Sequence, residues 1–221
     1  MSIIENTILP YEHEGGWFSM HRFHYASAYR SLHEFQSAHS AVATKTAALE
    51  ASVNDMPPEL LSSFICHETM DLRACEEQAF VSSILFSCMT VEAFINNYGV
   101  RRLGETYFRQ NLERLGITEK FSLLLLACQG IAIPSSDPTL LILRAMFDAR
   151  NQLVHPKARE FDVELLHRKF SEPPMKVRIS THFEHMEAVI SRFCSLDDHI
   201  YRDFEFQKPK GFAMAGSKSV H

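Results

Sequence analysis

A chain of 221 residues with 46% hydrophobic and 22% charged residues has enough apolar material for one large folded domain and lacks the signature of disorder. Its 22 Lys and Arg against 27 Asp and Glu leave a net charge of −5, which excludes a globally basic surface but leaves room for a local one. With only 8 Gly and 9 Pro the chain carries few breakers, so long helices are expected.

The five Cys (Cys66, Cys75, Cys88, Cys128, Cys194) are odd in number and form no C-x-x-C pair. That argues against a disulfide framework or a zinc knuckle, and reduced, buried thiols are expected. Met1 to Pro10 holds Glu5 but no Lys or Arg, so the basic opening of a secretory signal is missing. The longest apolar segment, Phe121 to Ile133, is broken by Ser122, Gln129 and Gly130 and falls short of the ~20 residues a membrane span needs. The expectation is a soluble, cytoplasmic protein without a membrane partner.

In chain order, residues 1–20 contain Pro10, Gly15 and Gly16 and read as an irregular lead-in, set against the core through Trp17 and Phe18. From Arg22 to Ala51 the positions Tyr25, Ala28, Leu32, Phe35, His39, Val42, Thr46 and Leu49 recur at steps of three and four, the seam of a long amphipathic helix. Packing within the chain is the favoured use of that seam, pairing with a second copy the other. After the break at Asn54 to Pro58, a short helix is predicted over Glu59–Met70. A buried helix, apolar on most sides, is predicted over Cys75–Arg102. Glu105–Leu115 and Thr118–Cys128 follow, parted by Gly116. In Pro134 to Pro138, Ser136 or Asp137 is placed to cap a helix that Pro138 and Thr139 begin, that runs on from Leu140 to about Val154 and that stops before Pro156. Phe161–Phe170 is a further short helix, Met175–Ile179 a short extended piece, and Thr181–Phe204 a last long helix. Residues 207–221 read as a loose tail. The fold class is all-α, with residues 21–206 forming a single helical bundle domain.

The segment Asp148-Ala149-Arg150-Asn151-Gln152-Leu153-Val154-His155-Pro156 sets an arginine, an amide and a histidine around the end of an apolar helix. Three R-x4-6-H spacings occur in the chain, from Arg150 to His155, Arg178 to His185 and Arg192 to His199, where roughly two arise by chance. The first is set apart by its surroundings. Its run R-N-x-L-V-H-P resembles the signature of the HEPN superfamily, α-helical domains that include metal-independent ribonucleases of toxin and defence systems. Upstream, Val91-Glu92-Ala93-Phe94-Ile95-Asn96-Asn97 is similar to the acidic and aromatic pattern of a HEPN core helix. The resemblance covers residues 74–161. No tyrosine follows His155 closely, which departs from the toxin branches paired with a nucleotidyltransferase.

By spacing alone, Leu143, Phe147, Arg150 and Val154 share one face of their helix. A guanidinium on a largely apolar face calls for an anion, either a carboxylate such as Glu92 or Asp148 or an RNA phosphate. His155, at the carboxyl end of the helix, feels the negative end of the macrodipole and is suited to proton exchange near neutrality. The resemblance implies that His155 transfers the proton, Arg150 stabilises charge on the phosphate, and Asn151 holds the phosphate or orients the imidazole. It implies cleavage by 2′-hydroxyl attack, without metal or other cofactor, leaving a 2′,3′-cyclic phosphate and a 5′-hydroxyl. Arg150 and His155 stand about 140° apart around an ideal helix, so one copy does not place both on one target; the resemblance implies a composite cleft built by a homodimer. Between Arg150 and Arg178, seven basic residues face four acidic ones, a strip able to track phosphates.

The expected activity is therefore an endoribonuclease with RNA as partner, and an antitoxin or regulatory protein as a further one. The alternative is a catalytically silent HEPN-like interaction or nucleotide-binding protein. The competing metal reading rests on the helical pairs His21/His24 and His182/His185 and on Glu164/His167. A di-iron bundle needs two E-x-x-H units, and only the last qualifies.

Overall fold

The computed structural model describes residues 19–53, 56–154 and 178–197, and every regular element within them is an α-helix. The helices are α1 (His21–Ser52), α2 (Pro58–Leu103), α3 (Glu105–Asn111), α4 (Ile117–Gln129), α5 (Pro138–Val154) and α6 (Ile179–Leu196). The all-α class is as expected. Residues 1–18, the predicted helix 161–170, most of the predicted extended piece and the tail 207–221 lie outside the described residues.

Neither Gly nor Pro interrupts α1, and its seam packs on α2 within the chain. The two run antiparallel: His21 meets Phe94, His24 stacks on Phe86, Phe35 meets Phe80, and His39 bonds Glu76 at 2.6 Å. His39 is exposed on that seam rather than buried in it. Where two helices are predicted, α2 is one helix of 46 residues. Asp71-Leu72-Arg73-Ala74 contains no breaker, and the Arg73 Nε–H donates to Thr69 Oγ1 at 2.9 Å across the expected gap. The change from a single apolar stripe to an all-round apolar surface therefore marks a change of surroundings and not a backbone break. By length and composition α2 also reaches what a membrane crossing requires, which Phe121–Ile133 does not, and half of its most apolar window is buried inside the bundle.

At 1.5 Å per residue α1 spans about 48 Å and α2 about 69 Å. Their distal halves form a two-helix arm whose buried apolar residues are few: Val42, Ile65 and Ala79. The core lies at the other end, where the carboxyl half of α2 meets α1, α4, α5 and α6. Phe193 of α6 is its centre, meeting the rings of Phe94, Tyr98 and Phe121 with centroids 5.4, 5.1 and 4.8 Å away in edge-to-face arrangements. α3, shorter than predicted, lays Phe108 against α2 at Gly99. A Cβ on Gly99 would stand 2.5 Å from the Phe108 ring, so only glycine admits that approach.

α4 begins after Gly116, whose N–H is accepted by the Glu119 carboxylate at 3.0 Å. It ends at Gly130, which takes the left-handed conformation with φ +66 while the Ile131 N–H returns to the Leu125 carbonyl. Asp137 caps α5, accepting the Thr139 N–H at 2.8 Å, and the buried face of α5 is Leu140, Leu143, Met146 and Ala149. α6 stops at Leu196, where Asp197 turns inward; the remainder of the predicted helix, 198–204, lies outside the described residues. The Asp197 backbone is extended, and its carboxylate takes hydrogen bonds from Arg102, from Tyr98 at 3.2 Å and from Gln129 at 2.7 Å.

The five cysteines are free, but they are not uniformly buried. Cys88 is buried, Cys128 and Cys194 are half-buried, and Cys66 and Cys75 are exposed on the arm. Their apolar neighbours in sequence lie on other faces of a helix that the arm leaves open.

Candidate functional site

The last two turns of α5 bring the expected residues beside the middle of α2. Ala149 is buried, so the adjacent Arg150 sits at the rim of the packed face, half-buried, and Asn151 is exposed. Arg150 Nη1 donates to Asn151 Oδ1 at 3.2 Å, which holds the guanidinium along the helix end. Glu92 is half-buried on α2. Among the described residues no ion pair joins Arg150 to Glu92 or Asp148, so the carboxylate partners expected for the guanidinium are not engaged. Val154 closes the described part of α5 and is exposed. His155 lies outside the described residues.

Arg150 and Glu92 flank Cys88, one turn before Glu92 on α2. The Cys88 thiol is fully buried and donates to the Met146 carbonyl of α5 at 3.5 Å, with its sulfur 3.7 Å from His182 Nε2 of α6. Burial pushes the thiol up to about 12; the Arg150 charge and the Ser87 hydroxyl act against that rise, and Glu92 adds to it. His182 is held down to about 4, first by burial and then by the neighbouring His185, while the Ile84 main chain works the other way. At neutral pH both partners are uncharged, and the pair packs without activating a thiolate.

On the far side of the same helix face, the Lys120 ammonium is buried, donates to Asn96 Oδ1 at 3.1 Å and lies 5.9 Å over the Phe108 ring. Asn96, part of the acidic and aromatic motif, is thus tied to α4. His21 and His24 do not gather a ligand set: His21 Nδ1 meets Ser19 Oγ at 2.7 Å and His24 stacks on Phe86. Among the described residues no three His, Cys, Asp or Glu converge as metal ligands, and Glu164 and His167 lie outside them.

No family model, curated protein or solved structure matches this chain.

Two polar clusters have no counterpart in the sequence reasoning. One is the knot of Arg102, Asp197, Tyr98 and Gln129 at the base of the bundle. In the other, Tyr25 and Tyr29 both donate to Glu187 Oε1, the former at 2.7 Å. The hydrogen bonds that assemble them join residues 31 to 162 positions apart, so no local spacing announces them. The one available signal was Arg102, a charge on the final turn of a helix otherwise read as buried.

Proposed function

We propose that the chain is a HEPN-like, metal-independent endoribonuclease working as a homodimer in a toxin or defence setting. The observation that carries this reading is the run Arg150-Asn151-Gln152-Leu153-Val154-His155-Pro156 at the exit of α5. It is supported by a half-exposed guanidinium that meets no carboxylate at ion-pair distance among the described residues. In water-accessible surroundings such a group is ready for a phosphate, with which its planar fork makes paired hydrogen bonds.

His155 takes the proton of the 2′-hydroxyl, whose oxygen attacks the adjacent phosphorus. The 5′-oxygen leaves with a proton donated by the second subunit's histidine, which enters the reaction as the imidazolium, and the products are a 2′,3′-cyclic phosphate and a 5′-hydroxyl. Arg150 offsets the negative charge that builds on the phosphorane oxygens. Asn151, which already accepts from Arg150, keeps the guanidinium aimed.

The test is cleavage of single-stranded RNA by the full chain in EDTA, with end-group analysis of the products. Cyclic phosphate ends are expected, with rates falling about 10²- to 10⁴-fold in Arg150→Ala and His155→Ala proteins that remain folded. Undiminished cleavage by either variant, or none by the native chain, overturns the reading. Tight RNA or nucleotide binding without cleavage favours the silent binding module.

A further inference from the structure

The thiol of Cys88 stands where three helices meet. It reaches the Met146 carbonyl of α5 at 3.5 Å and the His182 ring of α6 at 3.7 Å from its own place on α2. In the regular helix α5 the Met146 carbonyl is also the acceptor for the main-chain N–H of Arg150, four residues on. A carbonyl oxygen has two lone pairs, so one atom serves both bonds. The contact therefore acts on the very turn that carries the guanidinium. It is dry: Cys88 is 1% and His182 2% exposed. In that setting a lost donor is not replaced by water.

We propose that Cys88 is a positioning residue for Arg150: its thiol, bonded to the Met146 carbonyl and backed by His182, sets the height and rotation of the end of α5 against α2. The guanidinium inherits that placement. Displacing a phosphate-binding group by about 1 Å is enough to cost a large part of the rate. Burial excludes Cys88 from touching substrate, so its effect passes entirely through α5.

The kinetic arm of this proposal rests on the nuclease reading; a spectroscopic arm does not. In the full chain labelled with ¹⁵N-arginine, the Nε–H cross-peak of Arg150, assigned by its loss in Arg150→Lys, reports the guanidinium's surroundings. Cys88→Ala removes the donor and is expected to move this cross-peak and to lower kcat about tenfold with KM unchanged. Cys88→Ser retains a donor and is expected to leave the cross-peak in place and kcat within about twofold. Cys88→Val, which fills the space without donating, serves if the alanine chain does not fold.

An unmoved cross-peak with native kcat in folded Cys88→Ala or Cys88→Val overturns the proposal, as does an equal displacement in Cys88→Ser. Should the native chain cleave no RNA, the nuclease reading fails on its own and the cross-peak alone decides the placement of Arg150.

Discussion

Asp197→Ala, just past the end of α6, is expected to cost about as much stability as truncating a buried aromatic side chain of that helix. The side chains of Arg102 and Asp197 are only 6% and 3% exposed, so the carboxylate is the counter-charge of a guanidinium with little access to water. It also receives the Tyr98 hydroxyl at 3.2 Å and the Gln129 amide at 2.7 Å. Removing it takes this buried carboxylate away from the Arg102 guanidinium and weakens two neutral donors, although Gln129 keeps its bond to the Tyr98 oxygen at 3.0 Å. Breaking a buried pair from one side costs about 3–5 kcal/mol, against a total of about 5–15 kcal/mol for a folded domain. With a urea dependence of about 2 kcal/mol per molar, the midpoint should fall by about 1.5–2.5 M. Arg102→Met in the same chain removes the buried guanidinium as well and should recover at least half of that loss, because the apolar replacement of both partners is often neutral. Equilibrium unfolding in urea, followed by circular dichroism for the two single variants and the double, measures this. A loss below about 1 kcal/mol for Asp197→Ala, or no recovery in the double variant, refutes the reasoning.

Acid should destabilise the fold through His21 and His182, both lowered to about 4 from 6.5, His21 by burial and then by Arg22, Arg101 and His24. A histidine with a depressed folded pKa binds its proton more readily when unfolded, so its contribution is whole above about 6.5 and lost as pH falls toward 4. At pH 5 each should cost about 2 kcal/mol, read as a lower urea midpoint than at pH 7.5, and a midpoint unchanged between the two would contradict the burial of both rings. Gly99→Ala should lower the melting temperature even though alanine is the better helix former by about 1 kcal/mol. Its Cβ would lie 2.5 Å from the Phe108 ring and 3.0 Å from Leu124 Cδ2, a crowding worth about 1–3 kcal/mol, and a raised melting temperature would show that α3 does not pack there.

Much of the fold was legible because it is written in local periodicity. The stripe from Tyr25 to Leu49 located α1 to within a residue at each end, and Asp137 with Pro138 located the start of α5. The division of α2 failed for the opposite reason. Hydrophobic pattern reports what surrounds a helix, and α2 leaves the bundle for the arm while its backbone continues, so the pattern changed where the structure did not. The break at Asp197 was not legible because that residue answers to Arg102, 95 positions away, and not to its neighbours. The candidate site was legible as a motif, Arg150 and Asn151 at a helix exit, but its setting was not. Spacing marks Cys88 only as a buried thiol and does not tell that its sulfur meets the main chain of α5 and a ring of α6.

The sequence by itself determined that this protein is helical, where most of its helices begin, and which residue types cluster at the exit of α5, because these depend on contacts within a few turns. Tertiary structure alone decided that Arg150 engages neither Glu92 nor Asp148, that Cys88 rather than a carboxylate lies behind it, and that a buried ion pair ends α6. Those outcomes turn on distances between helices, where a displacement of an ångström or two separates an ion pair from a mere neighbour, and no one-dimensional spacing carries that information.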